Sequence, residues 1–154
     1  MNNDEIVLLL RHMVAAYSVL NEAKYHFQII AYQKAADSIE SSSIQVKNLF
    51  KEDRLDDLAG VGTSLKDHLK ELIKTGKVEH FDKVLSQLPP AMFPLLDIPS
   101  FGPKKSYRLV TEFHLNDPKT VKKDVEELAR SGKIAPLAGF GEKSQSDILR
   151  ALSE

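Results

Sequence analysis

Apolar residues recur every three or four positions along much of the chain, which is the period of a helix with one buried face. Such stripes begin near residues 6, 27 and 65. Their members are Ile6, Leu9, Leu10, Met13, Val14 and Tyr17, then Phe27, Ile30, Ala31, Ala35 and Ile39, then Leu65, Leu69, Leu72 and Ile73. No segment sustains the alternation and β-branched enrichment of a strand. The pattern predicts an all-α fold of about eight to ten short helices.

Glycine and proline mark where these helices end. Gly76 and Gly132 follow apolar stripes and suit the left-handed position after a helix. Asp117-Pro118 is typical of a helix start, with an N-cap followed by proline. Two prolines at 89 and 90 must interrupt any helix. We therefore predict two small helical subdomains, residues 1–88 and residues 89–154.

Three tight turns share one pattern: A-G-V-G at 59–62, P-S-F-G at 99–102 and A-G-F-G at 138–141. Their spacings, 40 and 39 residues, indicate an internal repeat. Each turn follows an apolar residue and precedes an amphipathic segment, which is the helix-hairpin-helix pattern. We expect the central apolar residue of each turn, Val61, Phe101 or Phe140, to anchor it in the core.

A glycine turn that opens a helix is suited to binding an anion. Glycine allows close approach of the backbone, and the first amides of the helix point outward at the positive end of its dipole. A phosphate fits this geometry well. The predicted phosphate-binding residues are Gly60, Gly62, Ser64, Ser100, Gly102, Lys104, Lys105, Gly139, Gly141 and Lys143.

The overall composition of the chain does not favour anion binding, but the residues next to the second turn do. The 154 residues include no Cys and have a formal net charge of −1, which does not favour a strongly basic nucleic-acid binder. The charge is uneven, however: residues 1–100 have a net charge of −3 and residues 101–154 of +2. Lys104, Lys105 and Arg108 lie beside the second turn with no acid among residues 101–108. We therefore expect the second turn to bind phosphate more strongly than the first, which is flanked by acids.

The chain resembles the N-terminal region of X-family DNA polymerases of the bacterial and archaeal type. The resemblance rests on N-D-E-I-V-L-L-L at 3–10, F-Q-I-I-A-Y-Q-K-A-A at 27–36, L-A-G-V-G-T-S-L at 58–65, L-I-K-T-G-K-V at 72–78, I-P-S-F-G-P-K-K at 98–105 and L-A-G-F-G-E-K-S at 137–144. It implies a lyase-like helical domain with the first hairpin, followed by a duplex-holding subdomain with the second and third.

Two departures from the family pattern bear on activity. The 154 residues leave no room for the catalytic palm, so we expect no DNA synthesis by this chain alone, whereas a longer parent chain would be a DNA polymerase. His68 stands where lyase-competent relatives have the Schiff-base lysine, and an imidazole cannot replace an amine in imine formation. No catalytic residue is therefore predicted, and a residual 5′-deoxyribose-phosphate lyase stays as the third alternative.

The resemblance also implies two ligand sites. Tyr32 and Lys34 are the remnant of a 5′-phosphate pocket, and Ser64 stands where lyase relatives have a pocket lysine. In the relatives, hairpin carbonyls hold K⁺ or Na⁺ beside the DNA phosphate, which here would be the carbonyls of Leu96, Ile98 and Phe101. The other histidines are scattered along the sequence with no metal-ligand spacing.

These observations lead to one expected function and one competing class. The chain is expected to hold the backbone of duplex DNA at gaps or nicks, without sequence preference, in DNA repair. The alternative is an interaction or structural protein whose hairpins only pack or dock on a partner, such as a separate polymerase palm or another repair protein. No membrane partner is expected, since the chain has no signal-peptide pattern or membrane-length apolar run. An intracellular location, cytoplasmic or nucleoid if the source is prokaryotic, is the expectation.

Overall fold

The protein folds entirely into helices. The computed structural model describes residues 1–153, and over these residues it contains eight α-helices, two 3₁₀ helices and no strand. In chain order the elements are α1 (Asn3–Asn21), α2 (His26–Glu40), α3 (Val46–Lys51), η1 (Leu55–Asp57), α4 (Thr63–Thr75), α5 (Glu79–Leu85), η2 (Pro90–Asp97), α6 (Pro103–Glu112), α7 (Val121–Arg130) and α8 (Gly141–Leu152). The predicted all-α fold class is confirmed.

The chain divides into two compact units, Met1–Gln87 and Leu88–Glu154. The functional roles assigned above to the two segments stay predictions.

In unit 1, the long helix α1 packs against α2 and α5, while α3 contacts η1 and α4. A capping box starts α1, because Glu5 N–H donates to the Asn2 side chain and Asn2 N–H donates to the Glu5 carboxylate. Asn3 then joins α1 to the start of α3: its amide group donates to Ile44 O at 3.0 Å and accepts from Val46 N at 2.8 Å. These bonds satisfy a polar side chain that is buried in the unit.

In unit 2, η2 packs against α6 and α7, and α7 packs against α8. The buried core takes one or more apolar residues from each of these elements and from the loop after α7. Its members include Met92, Leu95, Leu109, Val125, Ile134 and Ile148. This arrangement places the segments at 99–102 and 138–141 at the ends of packed helices.

Two local predictions were wrong. The apolar stripe of α2 is not buried along its whole length, since Phe27 is 81% exposed whereas Tyr32, Ala35 and Ile39 are buried. Asp117-Pro118 does not open α7, which begins at Val121. The Asp117 carboxylate instead accepts a hydrogen bond from Lys119 N at 2.9 Å, a local turn that competes with helix formation.

Among residues 1–153, no helix combines the length and the apolar character that crossing a membrane requires.

Candidate functional site

The first glycine turn joins η1 to α4. Gly60 has φ +75°, in the left-handed region that glycine adopts without steric cost, and Gly62 is the extended N-cap of α4 with φ −78° and ψ 171°. Leu58 and Val61 are buried on either side of Gly60 and hold the turn in the core of unit 1. Val61 is therefore buried in the core, as expected of a residue that anchors the turn.

The second turn joins η2 to α6 and repeats the same backbone conformation. Ser100 has φ +68°, and Gly102 is the extended N-cap of α6 with φ −89° and ψ 172°. Ser100 is thus a non-glycine residue in the left-handed region, which costs roughly 1–2 kcal/mol. The anchor is weaker than expected, because Phe101 is only half-buried.

The third turn precedes α8, and its second glycine has a different backbone conformation from Gly62 and Gly102. Gly139 has φ +87°, matching Gly60 and Ser100, but Gly141 also has a positive φ, +78°, where the other two turns are extended. Phe140 is buried between them and donates its N–H to Leu137 O at 3.0 Å. The third turn therefore repeats the first left-handed position of the pattern and departs from it at the second glycine.

Each turn leads into the N-terminus of a helix of ten or more residues. Gly62 and Gly102 have no side chain to cap the first amides, and α8 has no side-chain cap hydrogen bond either. Pro103 at the start of α6 has no N–H, so α6 offers one donor fewer than α4. The ends of these helices carry the partial positive charge that favours an anion.

Two of the predicted basic residues reach from α6 to the third turn. Lys105 Nζ lies 3.5 Å from Ser144 Oγ and 5.6 Å from the centroid of the Phe140 ring. Arg108 donates a hydrogen bond to Ala138 O at 2.6 Å. The rings of Phe101 and Phe140 are 6.2 Å apart. The second and third turns are thus joined through side chains within unit 2.

Lys104 and Lys143 are exposed, each in the first turn of its helix. With Lys105 and Arg108 they supply the cationic groups next to the second and third turns.

The acids beside the first turn are partly neutralised. Asp56 pairs with Lys66 at 2.7 Å, and this ammonium group lowers the pKa of the Asp56 carboxyl. Asp57 pairs with Arg54 at 2.8 Å. Lys34 lies next to the turn, since its Cβ is 3.8 Å from where a Cβ added to Gly60 would lie. The first turn is therefore less acidic than its sequence indicates.

A cleft of about 620 Å³ opens in unit 1 beside the first turn. Part of its wall is the turn and the start of α4, from Gly62 to Leu65, which includes the predicted residue Ser64. Aromatic rings form most of the rest, supplied by Tyr17, Tyr25, Phe27, Tyr32, His68 and His80. Of the predicted pocket remnant, Tyr32 lines this cleft, whereas Lys34 lies beside Gly60 and is not among the described lining residues.

Two histidines meet in this cleft, which the sequence analysis missed. The imidazoles of His68 and His80 are stacked, with centroids 5.3 Å apart and an interplanar angle of 8°. Tyr17 Oη lies 2.8 Å from His80 Nε2. The two histidines come from α4 and α5 on either side of the Gly76 turn, so no sequence spacing signals their contact.

The surrounding protein shifts the pKa values of three groups that line the cleft. Burial, and then the neighbouring His80, lower the pKa of His68. Burial also raises the pKa of Tyr17 and of Tyr32. At neutral pH His68 and both phenols are therefore uncharged.

Of the carbonyls expected to hold a monovalent cation, that of Leu96 is in η2, that of Ile98 follows η2, and that of Phe101 is in the second turn. Ile98 O accepts the hydrogen bond of Phe101 N at 3.0 Å, which leaves its second lone pair for another partner. The cation site stays a prediction. Within residues 1–153, no group of three or more His, Asp or Glu side chains is gathered for a metal ion.

The first of these turns lies in a segment that matches a known family. Residues 1–78 match the family described as the helix-hairpin-helix domain. The chain belongs to this family.

A curated relative extends the similarity to the whole chain. The chain is 32% identical over 154 residues to the DNA polymerase/3′-5′ exonuclease PolX of Bacillus subtilis (strain 168). It covers 25% of the length of that relative. This match confirms the resemblance to an X-family DNA polymerase on which the sequence analysis relied.

Proposed function

We propose that this chain binds the DNA backbone without sequence preference and holds it at gaps or nicks during repair. The helix-hairpin-helix family and the DNA polymerase relative support DNA binding in a polymerase-related context. The choice of gapped or nicked duplex, the repair setting and the contact residues are our proposals. Polymerase and exonuclease activities belong to the relative, of which this chain spans a quarter.

One observation carries the proposal: the first and second turns have the same backbone conformation although they belong to different units. In each, a left-handed residue precedes an extended glycine that caps a helix. Ser100 adopts this left-handed conformation although it is not a glycine, with φ +68°. The shared geometry presents helix amides to a ligand, as binding of a phosphate needs.

Backbone amides that contact phosphates position DNA but read no bases. We therefore expect similar affinity for unrelated sequences. If about three phosphates are contacted, the slope of log K against log salt is about −0.9 per contact, or roughly −3. A fourfold rise in salt then weakens binding about 40-fold. With a net charge of −1, the overall affinity should be modest.

The turn glycines provide a direct test. Gly62 and Gly102 have negative φ, and no atom lies within 4 Å of a Cβ added at either position. A Cβ can therefore be added at either position without a clash, and the methyl groups of a valine should block the approach of a phosphate to the helix amides. Fluorescence anisotropy with gapped, nicked and intact duplexes of two unrelated sequences measures the effect at low salt.

The expected result is a large loss of affinity in Gly62→Val and Gly102→Val and a smaller one in the matched alanine variants. Thermal melting of each variant verifies that the fold is intact. The proposal is wrong if the wild-type chain binds no DNA at low salt, or if it strongly prefers one sequence.

Two further roles stay proposals of lower rank. The competing class is a module whose turns dock on a protein partner, such as a separate palm. In that case the valine variants should bind DNA as the wild type does. A monovalent cation at the carbonyls of Leu96, Ile98 and Phe101 predicts that exchanging K⁺ for tetramethylammonium at constant ionic strength weakens DNA binding.

A further inference from the structure

The wall of the unit 1 cleft brings an imidazole close to the first turn. His68 belongs to α4 and follows Ser64 by four residues, and both side chains line the cleft. Residues four apart on a helix lie on the same face, with Cβ atoms about 5–6 Å apart. The His68 imidazole is therefore one helical turn from the amides at the beginning of α4, where a phosphate is proposed to bind.

Aromatic side chains from two other helices hold this imidazole in place. The ring of His80, on α5, is stacked on it with centroids 5.3 Å apart, and the Phe81 ring lies 5.2 Å from it. His80 Nε2 is in turn 2.8 Å from Tyr17 Oη, on α1. The position of His68 in the cleft therefore follows from the packing of α1, α4 and α5.

The charged groups near His68 leave room for one further cation in the cleft. Burial, and then His80, lower the pKa of His68, whereas the carboxylates of Glu71 and Asp67 on α4 act in the opposite direction. The other titratable groups that line the cleft are phenols from α1, from the residue before α2 and from α2, namely Tyr17, Tyr25 and Tyr32. None of the described lining residues is Lys or Arg. Among these residues, a positive charge can therefore come only from the two histidines.

A phosphate at the first turn would change the protonation of this pair. A negative charge close to an imidazole favours its imidazolium form. Two imidazolium rings with centroids 5.3 Å apart would repel each other, so the pair should hold about one proton. His68 is the ring that shares its helix face with the beginning of α4, and it is therefore the ring that a phosphate there favours as a cation.

We infer that His68 contacts the DNA phosphate at the first turn as an imidazolium, so that DNA binding at this turn takes up about one proton. This inference rests on the proposed DNA binding, to which it adds a contact residue and a dependence on pH. The first turn then gains a positive charge only when a phosphate is present or the pH is low.

The pH dependence of DNA binding tests this proton uptake. Fluorescence anisotropy at one low salt concentration, between pH 8 and pH 6, uses gapped DNA with 5′-hydroxyl ends, because a terminal phosphate has a pKa of about 6 and would itself titrate. A charge within about 4–6 Å changes a pKa by roughly one or more. We therefore expect the affinity of the wild-type chain to rise about five- to tenfold from pH 8 to pH 6. Circular dichroism verifies that the protein is folded at each pH.

Three substitutions assign the proton. His68→Gln does not titrate, so it should bind as the wild type does at pH 8 and gain little affinity at pH 6. His68→Lys stays positively charged over this range and should bind at pH 8 about as tightly as the wild type does at pH 6. His114→Asn is the matched control, because it removes an exposed imidazole after the end of α6, at φ +53°, which asparagine tolerates. It should keep the full pH dependence.

The inference is wrong if the affinity of the wild-type chain does not change between pH 8 and pH 6, or if the rise persists in His68→Gln. In either case the proposed backbone binding still stands. A rise that persists in His68→Gln but is lost in His80→Gln would place the proton on the other ring and would equally overturn the assignment to His68. If the wild-type chain binds no DNA at any of these pH values at low salt, the proposed function fails and this inference fails with it.

Discussion

The guanidinium of Arg108, on α6, donates a hydrogen bond to the carbonyl oxygen of Ala138, 2.6 Å away in the turn that opens α8. The helix that the second turn opens is therefore connected to the third turn by a side chain. Lys105 reinforces the connection through Ser144 and the ring of Phe140. A basic residue beside the second turn thus has a structural role as well as its charge.

Replacing Arg108 tests this connection. Arg108→Gln removes the charge-assisted hydrogen bond to Ala138 and should loosen the third turn, with an effect on global stability of no more than about 1 kcal/mol because the side chain is exposed. Amide hydrogen exchange at Gly139, Phe140 and Gly141 should accelerate. Unchanged exchange at these amides would mean that the turn is held by its own backbone alone.

The basic residues of α6 should contribute to phosphate binding. Lys104→Glu combined with Lys105→Glu places acids at the N-terminus of α6, and each lost phosphate contact should reduce the salt-dependence slope by about 1. The matched control is Lys119→Glu with Lys123→Glu, the same charge change at exposed positions before and within α7. Anisotropy titrations at several salt concentrations compare the two. Equal losses would indicate a general charge effect.

A substitution at Lys66 tests the contribution of the first turn to DNA binding. Lys66→Glu would place a second acid beside Asp56, since Lys66 forms an ion pair with that carboxylate. Lys66→Gln avoids this repulsion. We expect it to weaken DNA binding less than the double change at Lys104 and Lys105. A larger loss would make the first turn the main contact.

Replacing Ser100 with glycine should increase the stability of unit 2. Because φ is +68° at Ser100, Ser100→Gly relieves the strain of a left-handed side chain and should stabilise unit 2 by about 1 kcal/mol. The opposite change, Gly60→Ser at φ +75°, should destabilise unit 1 by a similar amount. Urea unfolding of both variants measures these differences. A destabilised Ser100→Gly would point to a role for the Ser100 hydroxyl group.

The histidine pair should make unit 1 less stable in mild acid. The pKa of His68 is lowered in the folded state by burial and by His80, so the unfolded chain binds more protons and stability falls as pH falls. The loss begins near the unfolded value of about 6.5 and continues down through the lower folded pKa. The titratable groups that act on His68 are the stacked ring of His80 and the carboxylates of Asp67 and Glu71. Tyr17 lies next to His80.

Urea unfolding at pH 7.5 and pH 5.5 checks this dependence. His68→Gln, which does not titrate, should lose less stability between the two pH values than the wild type. An equal loss in both proteins would place the pH dependence on other groups.

The chain should have no lyase activity. No lysine is among the described residues that line the cleft, and His68 has no amine with which to form an imine. Borohydride trapping with an incised abasic substrate should give no covalent adduct above background. An adduct mapped by mass spectrometry to Lys34, Lys66 or Lys70 would show that a lysine reaches the sugar from outside the described lining.

The helices and turns of this protein could be predicted from its sequence because their causes are local. Gly76 and Gly132 both adopt left-handed conformations at the ends of helices, as their positions after apolar stripes indicate. Gly60 and Gly139 do the same within the repeated turn. One local signal that failed, Asp117-Pro118, has two local solutions, a helix cap and a turn, and the sequence does not rank them.

Contacts between elements required the tertiary structure. The stacking of His68 on His80, the bond from Arg108 to Ala138 and the exposure of Phe27 each depend on how one helix packs against another. A hydrophobic stripe shows that a helix has a buried face, but packing decides how far along the helix that face is covered. The sequence therefore determined the helices and the turns that open them, and only the packing of those helices decided which side chains meet in the cleft and at the third turn.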